Sequence, residues 1–250
     1  MLVTPIKTRV FKEGEDLFNF ICEYIKELPE QSIVVVTSKI VALSEKRTAP
    51  NRTVQSKIDL IYKESDIVIP TRYVWMTVKD GMVMSSAGID ESNSEDGKLI
   101  MLPKDSFRTA NRLRRQLMNK FKIKQLGVIV SDTRTFPLRT GAMGVAIGYA
   151  GFNGLNDYRG NNDMFGKRFN SVQVNIADGL TTAANLTMGE GSQQQPLAII
   201  KDAPVTFVNR INKEELKIDI RTDLYKPLYL KIDKLMRDKK WDVLKSNKTN

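Results

Sequence analysis

The chain has 250 residues, 39 Lys and Arg against 29 Asp and Glu, a formal net charge of +10, no histidine and one cysteine. That length suits one large domain or two small ones, and a 41% hydrophobic, 8% aromatic composition describes a folded chain. The missing histidine excludes Ser-His-Asp triads, His-based zinc sites and His general bases, and one cysteine excludes internal disulfides and thiolate zinc clusters.

Chemistry is therefore left to carboxylates, hydroxyls, amides and cations, and any metal should be a hard ion held by oxygen. The first residues, MLVTPIKTRVF, hold no apolar run of signal-peptide length. No stretch reaches the roughly 18 apolar residues of a membrane span. The expectation is a cytoplasmic protein with no membrane partner.

In chain order, residues 15–28 read as an amphipathic helix ending before Pro29, with Leu17, Phe18, Ile21, Ile25 and Leu28 on one stripe and Cys22 as a core thiol. The β-branched run that opens SIVVVTSKIVAL, 32–43, predicts a buried strand stopping in the polar turn 44–47. VQSKIDLIYKESDIVI looks helical, and RYVWMTVKDGMVM predicts a hairpin closed at Lys79-Asp80-Gly81. After Pro103 a helix is expected, with Asp105 or Ser106 as its N-cap. LGVIVSDT, 126–133, reads as a second buried strand. Residues 139–166 hold seven of the fifteen glycines, a density that implies backbone packed closely on itself or on a ligand. SVQVNIADGL predicts a strand and a helix start, LTTAANLTMGEG a helix closed by Gly189, and PLAIIKDAPVTFV a strand. From 213 a charged helical tail is expected, fading into a disordered KSNKTN end. The fold class expected is α+β with a mixed sheet, divided into a domain over 1–210 and a C-terminal extension over 211–250.

Three segments carry a chemical reading. Ser85 to Asn93 follows a strand and would set Asp90 and Asn93 at its end. Val130-Ser131-Asp132-Thr133 puts an acid and a hydroxyl at the end of a hydrophobic strand, a familiar shell for Mg²⁺ or Mn²⁺ on nucleotide phosphates. Met188 to Ser192 flanks Glu190 with two glycines, which let backbone approach phosphate while the acid completes a metal site. Each has an ordinary structural reading as a turn former, N-cap or C-cap. Neither a Walker A sequence nor a GxGxxG run is present.

Read together, the segments resemble the coenzyme F420-0:L-glutamate ligase (F420-0 γ-glutamyl ligase) family. The matching stretches are KEGEDL, VVVTSKIVALSEKR, SSAGIDESN, LPKD, GVIVSDT, and the long run from Arg139 to Gly191 followed by PLAII. The resemblance implies an α+β fold of the family's own type and an intertwined homodimer. It implies a GTP-dependent ligase that turns the terminal carboxylate of F420-0 into an acyl phosphate, which the amino group of L-glutamate then displaces. Two divalent ions, Mn²⁺ or Mg²⁺, are implied as well. Carried across by position, Asp90, Asp132, Thr133 and Glu190 would hold metal, with Asp90 and Asp132 central to catalysis. Asn93, Ser38, Lys39, the stretch Lys7-Thr8-Arg9-Val10 and the loop Met188, Gly189, Glu190, Gly191, Ser192, Gln193, Gln194 and Gln195 would contact nucleotide. Arg139, counted with Asp90 and Asp132 among the catalytic residues, and Arg159 are anion contacts by charge, or else surface ion pairs.

Two departures stand out: Leu43 replaces a lysine expected to touch nucleotide, and Lys46 replaces a glycine. The alternatives are a non-catalytic nucleotide- and metal-binding homologue, or a ligase with a different acceptor. The +10 charge alone motivates nucleic-acid binding, but no aromatic-interleaved basic motif accompanies it, and a site for polyanionic small molecules accounts for it better.

Overall fold

The structure, a computed structural model, describes residues 1–219 and 221–227. Its elements run β1 Leu2–Ile6, α1 Leu17–Tyr24, β2 Ser32–Thr37, α2 Ser38–Ser44, β3 Thr48–Ala49, α3 Val54–Lys63, β4 Ile67–Pro70, β5 Trp75–Lys79, β6 Met82–Ser85, β7 Leu99–Ile100, α4 Ser106–Phe121, β8 Leu126–Thr135, β9 Ala142–Ala150, β10 Leu155–Asp157, β11 Gln173–Asn175, α5 Ile176–Met188 and β12 Leu197–Lys201. They divide into two compact units. One comprises Met1–Ile58 with Gly88–Leu216, the other Asp59–Ala87 with the chain from Lys217 onward. Residues 59–87 thus belong to the smaller unit.

The larger unit is built on a five-stranded sheet of order β1-β12-β2-β8-β9. β2 and β8 are parallel and the other pairs antiparallel, so the sheet is mixed, as expected for an α+β chain. The uninterrupted apolar run of β2 is the signature of a strand covered on both faces, and Ile33, Val34, Val35 and Val36 are all fully buried. One face of the sheet packs on α5 in a cluster of Ile33, Val35, Ile129, Ala146, Leu180, Ala184, Met188 and Ile200.

The β8–β9 ladder contains the feature that shapes the middle of the sheet. Val130 opposes Gly148 whereas the next residue, Ser131, opposes Ala146, so Ile147 is an extra residue on β9. Such a bulge reverses which side chains face which side. A Cβ on Gly144 would meet the Thr181 carbonyl of α5 at 2.7 Å, and one on Gly148 would meet Ser106 of α4 at 2.4 Å. Two of the seven glycines in this region thus serve a backbone-to-helix approach on both faces of one strand.

In the smaller unit β4, β5 and β6 form an antiparallel meander. Its expected hairpin is present: Asp80 at φ 53° and Gly81 at φ 78° are both left-handed, as a tight type I′ turn requires.

Several expectations need correcting. The helix expected over 15–28 spans Leu17–Tyr24, capped by the Asp16 side chain on Asn19 N, and Ile25 already has extended ψ. The strand expected through 43 ends at Thr37, and α2 begins at once. The helix expected from 213 is absent over 213–216, which form turns. There Glu215 accepts from Tyr149 Oη at 2.6 Å and from Gly154 N at 2.8 Å, so the segment is held by contacts to β9 and the loop after it. Residue 220 and residues 228–250 of that expected tail, with its KSNKTN end, lie outside the described residues. α4 is capped by Asp105, which accepts from Arg108 N, as the sequence anticipates.

Candidate functional site

The site grows from the one parallel pair in the sheet. Thr37 at the end of β2 lies beside Ser131 on β8, so Ser38 and Asp132 come next to each other. Ser38 Oγ donates to Asp132 Oδ1 at 3.3 Å. Residues two apart on a strand share a face, and Arg134 uses this to pair its guanidinium with Asp132 Oδ2 while also donating to the Thr133 carbonyl at 2.7 Å. Arg134 is only 8% exposed. The same alternation puts Thr133 on the opposite face, opposite Gly144 and toward α5.

Asp90 arrives differently from the expected strand end. After β6 the chain makes a tight turn with Ser86, Ala87 and Gly88 all at positive φ, and Asp90 then forms an isolated bridge with Ile100. The turn brings Asp90 to α2: Lys39 Nζ lies 2.8 Å from Asp90 Oδ2 and donates to the Ser92 carbonyl at 2.7 Å. Ser92 N donates to Asp90 Oδ1 at 2.7 Å. Burial pushes the Asp90 carboxyl up, but Lys39 and the Ser92 amide outweigh it and hold the group below its ordinary value.

Glu190 follows Gly189, the C-cap of α5, and accepts from Asn185 Nδ2 at 3.4 Å. Its carboxyl is pushed up by burial first, then by the charge of Asp132 and more weakly by Asp90, with the Asn185 amide and Lys39 opposing. Glu190 thus feels charges from β8, α2 and the Asp90 turn at once, and these distant segments form one electrostatic cluster. Two backbone contacts close the ring. Asn93 Nδ2 donates to the Gly191 carbonyl at 3.5 Å, and Thr8 N donates to the Gln194 carbonyl at 2.9 Å.

The stretches 7–10 and 188–195 are therefore neighbours, though their members play different parts. Thr8 is buried, and Lys7 is exposed. Arg9 is tied to Glu15 and Glu23, and Val10 is 64% exposed. Met188 packs in the core, and Gln193 Oε1 accepts from Gly191 N at 2.8 Å, bracing the loop. Ser192 is exposed, while Gln195, with its amide turned to donate, reaches Thr187 and Met188 carbonyls at 3.1 and 3.0 Å. Arg139 sits in the exposed turn joining β8 to β9, and Arg159 is paired with Asp157; neither is joined to the cluster by a contact. Arg134 and Asn185 were missed from sequence. Arg134 is signalled by its two-residue spacing from Asp132, whereas nothing in the sequence marks Asn185.

Among the described residues no three carboxylate, His or Cys side chains stand close enough together to hold a metal ion. The donor chemistry nevertheless fits a hard cation. The cluster holds three carboxylates, Glu190 carries the penalty of its acidic neighbours, and the buried Asn185 Oδ1 lacks a hydrogen-bond partner among the described residues. No helix among the described residues is long and apolar enough to cross a membrane.

A family model described as F420-0:Gamma-glutamyl ligase matches residues 5–202. The chain belongs to this family. It is 32% identical over 217 residues to the coenzyme F420:L-glutamate ligase of Methanococcus maripaludis strain C6, covering 79% of this chain and 87% of that protein. It is 32% identical to the protein of the same name from Methanopyrus kandleri, covering 79% and 84%, and 34% identical to that from Methanocaldococcus jannaschii, covering 70% and 69%. As a member of the F420-0:gamma-glutamyl ligase family, the chain carries its Asp90, Asp132 and Glu190 cluster within the matched span. Both departures noted from sequence fall on or just after α2. Leu43 is half-buried, and its carbonyl accepts from Gly14 N at 3.0 Å. Lys46, where a glycine was expected, has a φ of 54°, the conformation glycine adopts without strain.

Proposed function

We propose that the protein is a GTP-dependent ligase that forms an amide between L-glutamate and the terminal carboxylate of F420-0 or a related acceptor. The observation that carries this reading is the coupling of Glu190 to Asp132, Asp90 and Lys39 at the end of the parallel strand pair. In that reaction the acceptor carboxylate attacks the γ-phosphorus of GTP, the bond to the bridging oxygen breaks, and GDP leaves. The glutamate amine then attacks the acyl carbon and inorganic phosphate departs.

The chain's own groups suit the anionic steps. Lys39 supplies a cation beside the Asp90 turn, and the two glycines of the Gly189–Ser192 loop let its backbone come close to phosphate oxygens. Ser38 and Arg134 fix the Asp132 carboxylate in one orientation. Two divalent ions, Mn²⁺ or Mg²⁺, would be held by Asp90, Asp132, Thr133 and Glu190, and would neutralise phosphate charge. A homodimer is part of the proposal. Ile67, Val78 and Val83 are successive cross-strand partners on one face of the β4-β5-β6 meander, and Ile67 and Val83 are 44% and 46% exposed.

Purified protein given Mn²⁺, GTP, L-glutamate and F420-0 should release phosphate and produce a glutamyl-extended product by mass spectrometry. Asp132→Ala should abolish turnover with the thermal melt retained. GTP and Mn²⁺ binding without phosphate release would instead identify a non-catalytic homologue, a reading that Leu43 favours. Phosphate release only with another carboxylate would reassign the acceptor.

A further inference from the structure

Arg134, which with Ser38 orients Asp132, is the most buried charged group at the site. Its guanidinium pairs with Asp132 Oδ2, on the same face of β8, and also holds the Thr133 carbonyl. Ser38 occupies the other oxygen of Asp132. Asp132 is therefore already satisfied, just as Asp90 is by Lys39. Two of the three carboxylates of the cluster are thus each engaged by a cation of the chain itself.

Breaking a buried ion pair is costly because it strands an uncompensated charge. A divalent ion arriving at Asp132 replaces the lost partner of the carboxylate. The released guanidinium, a planar fork, is matched to a phosphate arriving beside it.

We propose that Arg134 is a positioning residue that occupies Asp132 until a divalent cation displaces it, so that the ion enters by exchange with the guanidinium. The inference rests on the proposed metal-dependent function and concerns what sets metal affinity in this chain.

The test is Mn²⁺ binding to the full-length, nucleotide-free protein, read by the loss of the free-ion electron paramagnetic resonance signal. Arg134→Met should lower the Mn²⁺ dissociation constant about tenfold, a coupling of about 1.4 kcal/mol. In an Asp132→Asn background the same Arg134→Met change should leave Mn²⁺ affinity unchanged, because the guanidinium acts through that carboxylate. A tightening that persists in the Asp132→Asn background would mean simple charge repulsion and overturn the proposal. Unchanged or weaker binding in a variant that melts like the parent would also overturn it. Arg134→Gln, measured the same way, serves if the methionine variant does not fold. Parent and variants that all leave the Mn²⁺ signal untouched would remove the metal-dependent reading itself, an outcome distinct from equal binding by both.

Discussion

Gly144 and Gly148 lie four residues apart on one strand yet face opposite helices, because Ile147 is an extra residue in the ladder between them. Gly144 meets the Thr181 carbonyl of α5, and Gly148 the Ser106–Phe107 backbone of α4. Alanine at either position would press a methyl into backbone, which cannot turn aside as a side chain can. Gly144→Ala and Gly148→Ala should each cost about 1–3 kcal/mol, as overpacking does. Gly179→Ala is the contrast, since Gly179 sits inside α5 with nothing within 4 Å of an added Cβ, and it should add up to about 1 kcal/mol through helix propensity. Urea denaturation of the three variants decides it, and a Gly148→Ala protein as stable as the parent would refute the close packing.

Lys46 is a non-glycine residue at φ 54° just beyond α2. Its side chain lies against Gly14 and its charge favours the Glu13 carboxylate, a modest return set against the cost of the left-handed backbone. Lys46→Gly should raise stability by about 0.5–1 kcal/mol, seen as a higher melting temperature. A lower one would show that Lys46 contributes packing or charge that outweighs the strain.

Tyr149 and Glu215 fasten the turn at 213–216 to β9. The Tyr149 hydroxyl is raised far above the usual phenol range, by burial first and then by the Glu215 carboxylate that accepts its proton. That shift favours the protonated hydroxyl that donates to Glu215. Tyr149→Phe removes that donor and leaves Glu215 bonded to Gly154 N among the described residues, at a cost of about 1–2 kcal/mol. Gly154→Ala should do more harm, because its Cβ would fall 2.3 Å from Tyr149 Oη. Proteolysis near residues 213–216 should be faster in both variants; unchanged cleavage would separate this clamp from the stability of the segment.

What the sequence discloses follows from how local each signal is. Ile33 to Val36 and Leu126 to Val130 announce buried strands because their β-branched and aliphatic runs need no context, and the Asp80-Gly81 turn declares itself through left-handed conformations. Asp105 and Asn175 act as caps through their own side chains. β1 was not discerned: it is five residues long, contains Pro5, and exists as an edge strand through pairing with β12, some two hundred residues away. The break between β2 and α2 was also hidden, since TSKIVAL is apolar enough to continue a strand. For the site, residue types and order pointed to Asp90, Asp132 and Glu190, but the cations that answer them were not legible. Lys39 meets Asp90 across 51 positions of sequence, and the role of Arg134 depends on the pleat of β8.

Asp178 offers a pH test away from the proposed ligands. It lies in the first turn of α5, accepting from Ala146 N at 2.8 Å and from Asn175 Nδ2 at 2.6 Å. Burial nonetheless lifts its carboxyl above the ordinary 3.8, with those two hydrogen bonds pulling only partly the other way. A carboxyl whose folded pKa is raised favours the folded state when protonated. Its contribution is complete below the unfolded value of 3.8 and is lost as pH rises through the folded value, leaving a charge penalty at neutral pH. Asp178→Asn keeps an acceptor for Ala146 N and removes the charge. Its stability relative to the parent should therefore improve as pH climbs from below 3.8 toward neutrality. Chemical denaturation of both proteins across that range measures the difference. A relative stability that is flat with pH, or that falls as pH rises, would mean the two hydrogen bonds outweigh burial and that Asp178 is held as a stabilised anion.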